Sequence, residues 1–329
     1  MELATTYLGM VLRNPLVASA SPLSQTVAGV QLLADAGVGA VVLPSLFEEQ
    51  LRREAEQTAR LADAGTESFA ESLSYLPPEP EDAQASRRYL SLVRRATKAV
   101  DIPVIASLNG VTAAGWIDYA SAIQDAGAAA IELNVYYLPS NPHASGRDVE
   151  QRHVDILRRV RSAVSIPVAV KLGPYFSSTA EVARRLDEAG ADGLVLFNRL
   201  MQPDIDAETL TVTATVPLSS PVEARLPRAW IALLRGRIRA SLAATTGVAG
   251  PADVATYLLA GADVVMTASA LLRNGPGYAT VLLDGLVEWM RRKGFGSVDE
   301  FRGLLRVSAG RDAYLTGMTT AREVYGPTR

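Results

Sequence analysis

The chain has 329 residues, 48% hydrophobic and 20% charged, which is enough apolar material for a sizeable core and excludes a disordered polymer. Its formal net charge is -3 with no long basic run, so nucleic acid is not the natural partner. Cysteine is absent, which removes disulfides, zinc thiolates, iron–sulfur ligation and a thiol base or nucleophile.

The N-terminus, MELATTYLGMVLRNPL, lacks the long apolar run of a secretory signal. No stretch reaches the roughly 18 uninterrupted apolar residues of a membrane span. The expected location is the cytoplasm. The first predicted strand covers about 16–20, inside NPLVASASPLS, and no glycine-rich dinucleotide fingerprint follows it. A helix-like stretch then ends in AGVGA (36–40), and a second strand is predicted over about 40–43. The same small-residue turn returns as AGAAA (126–130), AGADG (189–193) and AGADV (260–264), each ahead of a short apolar run. A glycine just past a helix end closes the helix, and short continuous apolar runs are what parallel strands buried on both faces require. Two more strands open on Ile-Pro, at 102–103 and 166–167, where a missing N–H costs little. The eight predicted strands lie at about 16–20, 40–43, 104–107, 130–134, 168–172, 193–197, 241–244 and 264–267, each good to roughly 2–4 residues. Strand and helix alternating eight times is an α/β pattern, a (β/α)₈ barrel, here one domain over 1–329.

Three segments exceed ordinary loop length: 46–85, 136–152 and 199–229. All follow strands, so these long insertions belong to the C-terminal face of the barrel, where barrel enzymes carry their sites.

Lys171 ends the apolar strand VAVKL and is one of only three lysines, with Lys98 and Lys293. A buried charge must be paired. Three readings stand: a lysine snorkelling from a strand end, a Schiff-base lysine of a lyase, or a cation for the negative charge developing on a cofactor. Asn134 ends the fourth strand and Asn198 the sixth; each can cap the next segment or read an amide edge of a ligand. TTGVAGPAD (245–253) and the Thr-Ala-Ser turn after the eighth strand match the phosphate site of many barrels, or else a plain helix start. His143 reads as a surface loop residue and His153 as a solvated helix residue. Asp204 and Asp206 read as a turn. Metal-ligand spacing is lacking.

NPLVASAS, the asparagine after the fourth strand, VKLGPYF, FN after the sixth and GVAGPADVATYLLAGADVVMTASALL together resemble the class 1 dihydroorotate dehydrogenases nearly end to end. The resemblance implies an FMN oxidoreductase of pyrimidine biosynthesis acting on a CH–CH group, a small-molecule substrate and a homodimer, with the electron acceptor unread. FMN would lie against Ser19, Ala20, Ser21, Asn134 and Lys171, its phosphate near Gly247, Val248, Thr267, Ala268 and Ser269. Asn134, Asn198 and Ser45 would meet substrate. Where the family has N-x-S-C-P-N with a cysteine base, this chain has Asn134-Val135-Tyr136-Tyr137-Leu138-Pro139, which makes Tyr137 the candidate base beside Lys171. Ser140 and Ser145 lie out of register with the serine of the class 2 enzymes. Pro44 and Ser45 stand where the family has a lysine after the second strand, and Thr246-Gly247 replaces its glycine pair. SLSYLPPE (72–79) matches a substrate-binding segment without its asparagine. The open alternatives are the same fold on another substrate, a Schiff-base lyase using Lys171, and a flavin-binding barrel without turnover.

Overall fold

A computed structural model describes residues 1–47, 83–109, 116–135, 137, 140–199, 204–213 and 217–307. Most of the 46–85 insertion, with SLSYLPPE, lies outside these residues.

The chain opens with a small antiparallel hairpin, β1 (Thr5–Tyr7) and β2 (Met10–Leu12). Two of the barrel strands follow, β3 (Leu16–Ala18) and β4 (Ala40–Phe47). Then come β5 (Val104–Asn109), β6 (Ala130–Asn134), β7 (Val168–Leu172) and β8 (Gly193–Leu196). A second hairpin, β9 (Asp204–Asp206) and β10 (Thr211–Thr213), precedes the last two barrel strands, β11 (Ser241–Ala244) and β12 (Val264–Thr267). The eight long-range partners close in the order β11-β12-β3-β4-β5-β6-β7-β8, all parallel. All eight predicted strands are present, and the structure is the (β/α)₈ barrel expected.

Each strand is followed by at least one helix. They run Val27–Asp35, Ala83–Ala99, Trp116–Asp125, Gly146–Ala163, Thr179–Glu188, Arg225–Leu234, Pro251–Ala260, and finally the pair Ser269–Asn274 and Tyr278–Lys293. The recurring AG turns work as read: Gly37 and Gly190 sit at φ +99 and +96, a conformation that favours glycine.

Strand side chains alternate between two cores. Leu16, Val41, Ile131, Val170 and Leu194 face the helices. Val17, Val42, Ile105, Ala130, Ala169, Val195, Ala243 and Met266 fill the barrel, together with Tyr7, Leu8 and Leu12 from the first hairpin. That hairpin plugs the barrel. The fit leaves no room at Gly193, where an added Cβ would stand 2.5 Å from the Leu8 side chain. The plug is tied by Leu8 N–H to Ser241 Oγ (3.1 Å) and by Thr5 Oγ1 to the Asp263 carbonyl (2.9 Å).

The expectation for His153 is corrected. It is buried, not solvated, because it shares the inward stripe of its helix with Val149, Ile156, Leu157 and Val160. Its Nδ1 lies 2.9 Å from the Val149 carbonyl oxygen and its ring meets Phe176 edge-on at 5.1 Å. Burial lowers its pKa from the ordinary 6.5. His143 is exposed, as read. Asp204 and Asp206 lie in a short strand rather than in a turn, because they pair with Thr213 and Thr211; Asp206 ends that strand and opens the turn at 207–210, accepting from the N–H groups of Thr209 and Glu208, both bonds lowering its pKa.

Candidate active site

The inner alternation that buries Ala130 and Ala169 also places Glu132 and Asn134 on β6, and Lys171 on β7, inside the barrel. Register sets Asn134 beside Lys171 across the β6–β7 pair. The Lys171 ammonium is paired with Glu132 at 3.3 Å, with side-chain exposures of 10% and 1%. This answers how a charge is tolerated there, and it engages the amine that the Schiff-base reading required.

A cavity of about 210 Å³ opens at the ends of β3, β7, β8, β11 and β12. It brings together Ser19, Ala20, Ser21, Lys171, Asn198, Thr267, Ala268 and Ser269, eight of the residues singled out from sequence. Asn134 joins indirectly: the Asn198 amide N–H donates to Asn134 Oδ1 at 2.6 Å. Ser45 does not line the cavity. Its hydroxyl is 2.8 Å from that of Ser107, whose backbone is held by the buried Tyr89 hydroxyl.

Gly247 and Val248 lie behind the wall. The Gly247 N–H donates to Ser219 Oγ (3.2 Å), and that hydroxyl in turn meets Ser269 Oγ (3.0 Å). Ser219 thus bridges the loops that follow β11 and β12. The N–H groups of Ala249 and Gly250 are capped by Asp253 Oδ2, both at 3.0 Å. Donors toward an anion in this cavity are therefore the hydroxyls of Ser219, Thr267 and Ser269 rather than the start of helix Pro251–Ala260.

Thr246, in place of the first family glycine, holds φ +81, an uncommon conformation for a β-branched residue. It is pinned on both sides: its Oγ1 donates to the Phe197 carbonyl (3.0 Å), and its own carbonyl accepts from the Tyr257 hydroxyl (2.6 Å). Sequence reasoning missed Ser219, Arg199, Phe197 and Glu132. The insertion carrying Ser219 has no motif of its own. Glu132, however, is an acid inside an apolar strand, two residues before Asn134, and that signal was legible.

Tyr137 stands apart from the cavity wall, with the Arg152 guanidinium 4.1 Å above its ring. A second cavity of about 330 Å³ adjoins the first, sharing Phe197, Asn198, Arg199 and Thr246. Arg199 is held by Glu223 at 2.9 Å.

The cavity tests well against a flavin mononucleotide. The Lys171 ammonium, held by Glu132 at one side, suits the electron-rich edge of a reduced ring, and the cluster of hydroxyls at the β11–β12 side suits a phosphate.

A closed parallel barrel with a charged, hydroxyl-lined cavity at its C-terminal mouth is the architecture of a barrel enzyme. Comparison with known families narrows this. The family described as dihydroorotate dehydrogenase matches residues 2–290. The chain belongs to the dihydroorotate dehydrogenase family, oxidoreductases that act on a CH–CH group. It is 28% identical over 313 residues to the dihydroorotate dehydrogenase B (NAD(+)) catalytic subunit of Methanothermobacter thermautotrophicus, covering 92% of this chain and 98% of that one. The protein of the same name from Methanocella arvoryzae is 28% identical over 312 residues, with the same coverage. That of Listeria welshimeri is 31% identical over 209 residues, 61% of this chain and 68% of its own.

Proposed function

We propose that this chain binds FMN in the cavity at Lys171 and oxidises a dihydropyrimidine of the dihydroorotate type. The observation that carries the reading is the convergence of Ser19–Ser21, Lys171, Asn198 and Thr267–Ser269, from four strand ends, on one cavity. Bound FMN supplies a two-electron sink for hydride. The protein's part is to place the ring against Ser19, Ala20 and Ser21, to set the Lys171 cation at its pyrimidine edge, and to anchor the phosphate at Thr267, Ala268 and Ser269, with Gly247 and Val248 supporting from behind. Asn134 and Asn198, already bonded to each other, orient the substrate amide edge, while Ser45, expected there, stays outside the cavity with its hydroxyl on Ser107. Tyr137 takes the substrate proton. Tyr137 lies outside the cavity wall, so its side chain must come nearer when substrate is bound.

A second reading keeps FMN and changes the substrate. It is favoured by Pro44, which stands where the family has a lysine, and by the adjacent Ser45, which spends its hydroxyl on Ser107.

The reading includes a cytoplasmic homodimer. No helix among the described residues is long and apolar enough to cross a membrane. Among the described residues hairpin β9–β10 pairs only with itself, and its facing residues Ile205 and Val212 are 76% and 69% exposed. A lone hairpin is marginal in water, which fits a face covered by a second copy. Sedimentation of the purified protein, with and without Ile205→Asp, tests this.

The deciding experiment for function is the visible spectrum before and after anaerobic dihydroorotate. Bleaching of a flavin spectrum supports both cofactor and substrate; a flavin that stays oxidised favours the second reading; a colourless protein that takes up no FMN overturns the proposal. Reoxidation by fumarate, NAD(+) or oxygen then identifies the acceptor.

A further inference from the structure

A polar column runs up the barrel axis from the plug to the cavity. Tyr7 comes from the first hairpin, Glu132 from the middle of β6 and Lys171 from the end of β7. Glu132 pairs across to Ala169, one inner layer below the Asn134–Lys171 level, so its carboxylate lies beneath the lysine and reaches up to it. Only one of its oxygens is used. Among the described residues, Glu132 Oε2 and the Tyr7 hydroxyl are both enclosed without a hydrogen-bond partner. They are chemically matched, a carboxylate acceptor and a phenol donor inside one core, and unpaired polar atoms are rare in such a place. Burial, with the charges of Glu132 and Asp263 adding to it, pushes the Tyr7 phenol well above its ordinary range, so it stays a neutral donor.

A lysine ammonium is a flexible point charge with three donors. Left alone at a cavity edge it would turn toward any anion. A carboxylate beneath it fixes its position and offsets part of its field.

We propose that Glu132 is the positioning residue for Lys171: one carboxylate oxygen holds the ammonium at the cavity edge and limits the positive field a bound anion feels.

The test has two arms, and only the second rests on the cavity being an FMN site. In the first, the protein without added cofactor is acetylated with limiting acetic anhydride and the three lysines are mapped by mass spectrometry. Lys98 and Lys293 serve as internal references. Glu132→Gln is expected to raise the Lys171 rate several-fold relative to both references. In the second arm, the affinities for oxidised and reduced FMN are compared. Removing a buried negative charge beside the cation raises the reduced-to-oxidised affinity ratio about tenfold; a merely structural glutamate would weaken both forms alike. Wild-type protein that binds no FMN sinks the cofactor reading, and the lysine arm then decides alone. An unchanged relative Lys171 rate in folded Glu132→Gln overturns the proposal, as does an unchanged affinity ratio where FMN binds. Should Glu132→Gln fail to fold, Glu132→Asp, which keeps the charge but withdraws it from the ammonium, decides: an unchanged relative Lys171 rate overturns the proposal.

Discussion

Replacing Lys171 with methionine keeps most of the side-chain volume and removes only the charge. At 3.3 Å and an effective dielectric of about 20, the attraction to Glu132 is about 5 kcal/mol. Most of that offsets the cost of taking the two charges out of water, so the pair itself contributes little net stability. The single variant is a different matter. It strands a carboxylate that is 1% exposed and already has one oxygen unpartnered. Breaking a buried pair in this way costs about 3–5 kcal/mol, a large part of the stability of an ordinary domain. Removing both charges, in Lys171→Met/Glu132→Gln, should recover most of the loss. Urea unfolding followed by circular dichroism measures both variants. A single variant within about 0.5 kcal/mol of wild type would refute the reasoning, since that is the range of an uninvolved surface change.

Burial lowers the pKa of His153 in the folded state, so the unfolded chain binds more protons once pH drops below about 6.5. Stability is therefore full above that pH and declines as pH falls toward the depressed folded value; denaturation midpoints at several pH values should show the decline, and His153→Gln should flatten it. Tyr137→Phe is expected to lower the rate of flavin reduction by substrate about 100-fold while leaving FMN bound, as read by stopped-flow absorbance; an unchanged rate would move the proton to another acceptor. Ser219→Ala removes the hydroxyl that links Gly247 to Ser269 and should weaken FMN by about 1 kcal/mol, roughly fivefold, in a fluorescence titration.

Much of this architecture is legible in the sequence because its signals are local. Apolar runs, Ile-Pro strand starts and the four AG turns mark where strands begin and helices end, and a chain that alternates them eight times has few ways to bury both faces. The ends of those strands are also readable, so Lys171, Asn198 and the Thr267–Ser269 turn stood out locally, Ser19–Ser21 came with the family resemblance, and the cavity gathers them all. The family resemblance added what they would hold. What lies across from each residue was not readable. Period two tells which side chains share a face, but only barrel closure puts Glu132 under Lys171 and the hairpin residue Tyr7 into the same core. His153 failed for the same reason: its charged neighbours in sequence point outward, and only the packing of its helix against the Phe176 loop shows that it points in. Ser219 comes from a connection without periodicity, and its place between Gly247 and Ser269 is a tertiary fact. Sequence therefore determined the barrel and the list of groups at its mouth, through local periodicity and turn chemistry, whereas the pairing of those groups, which sets their charge and reach, was decided by long-range contacts that only the closed barrel makes.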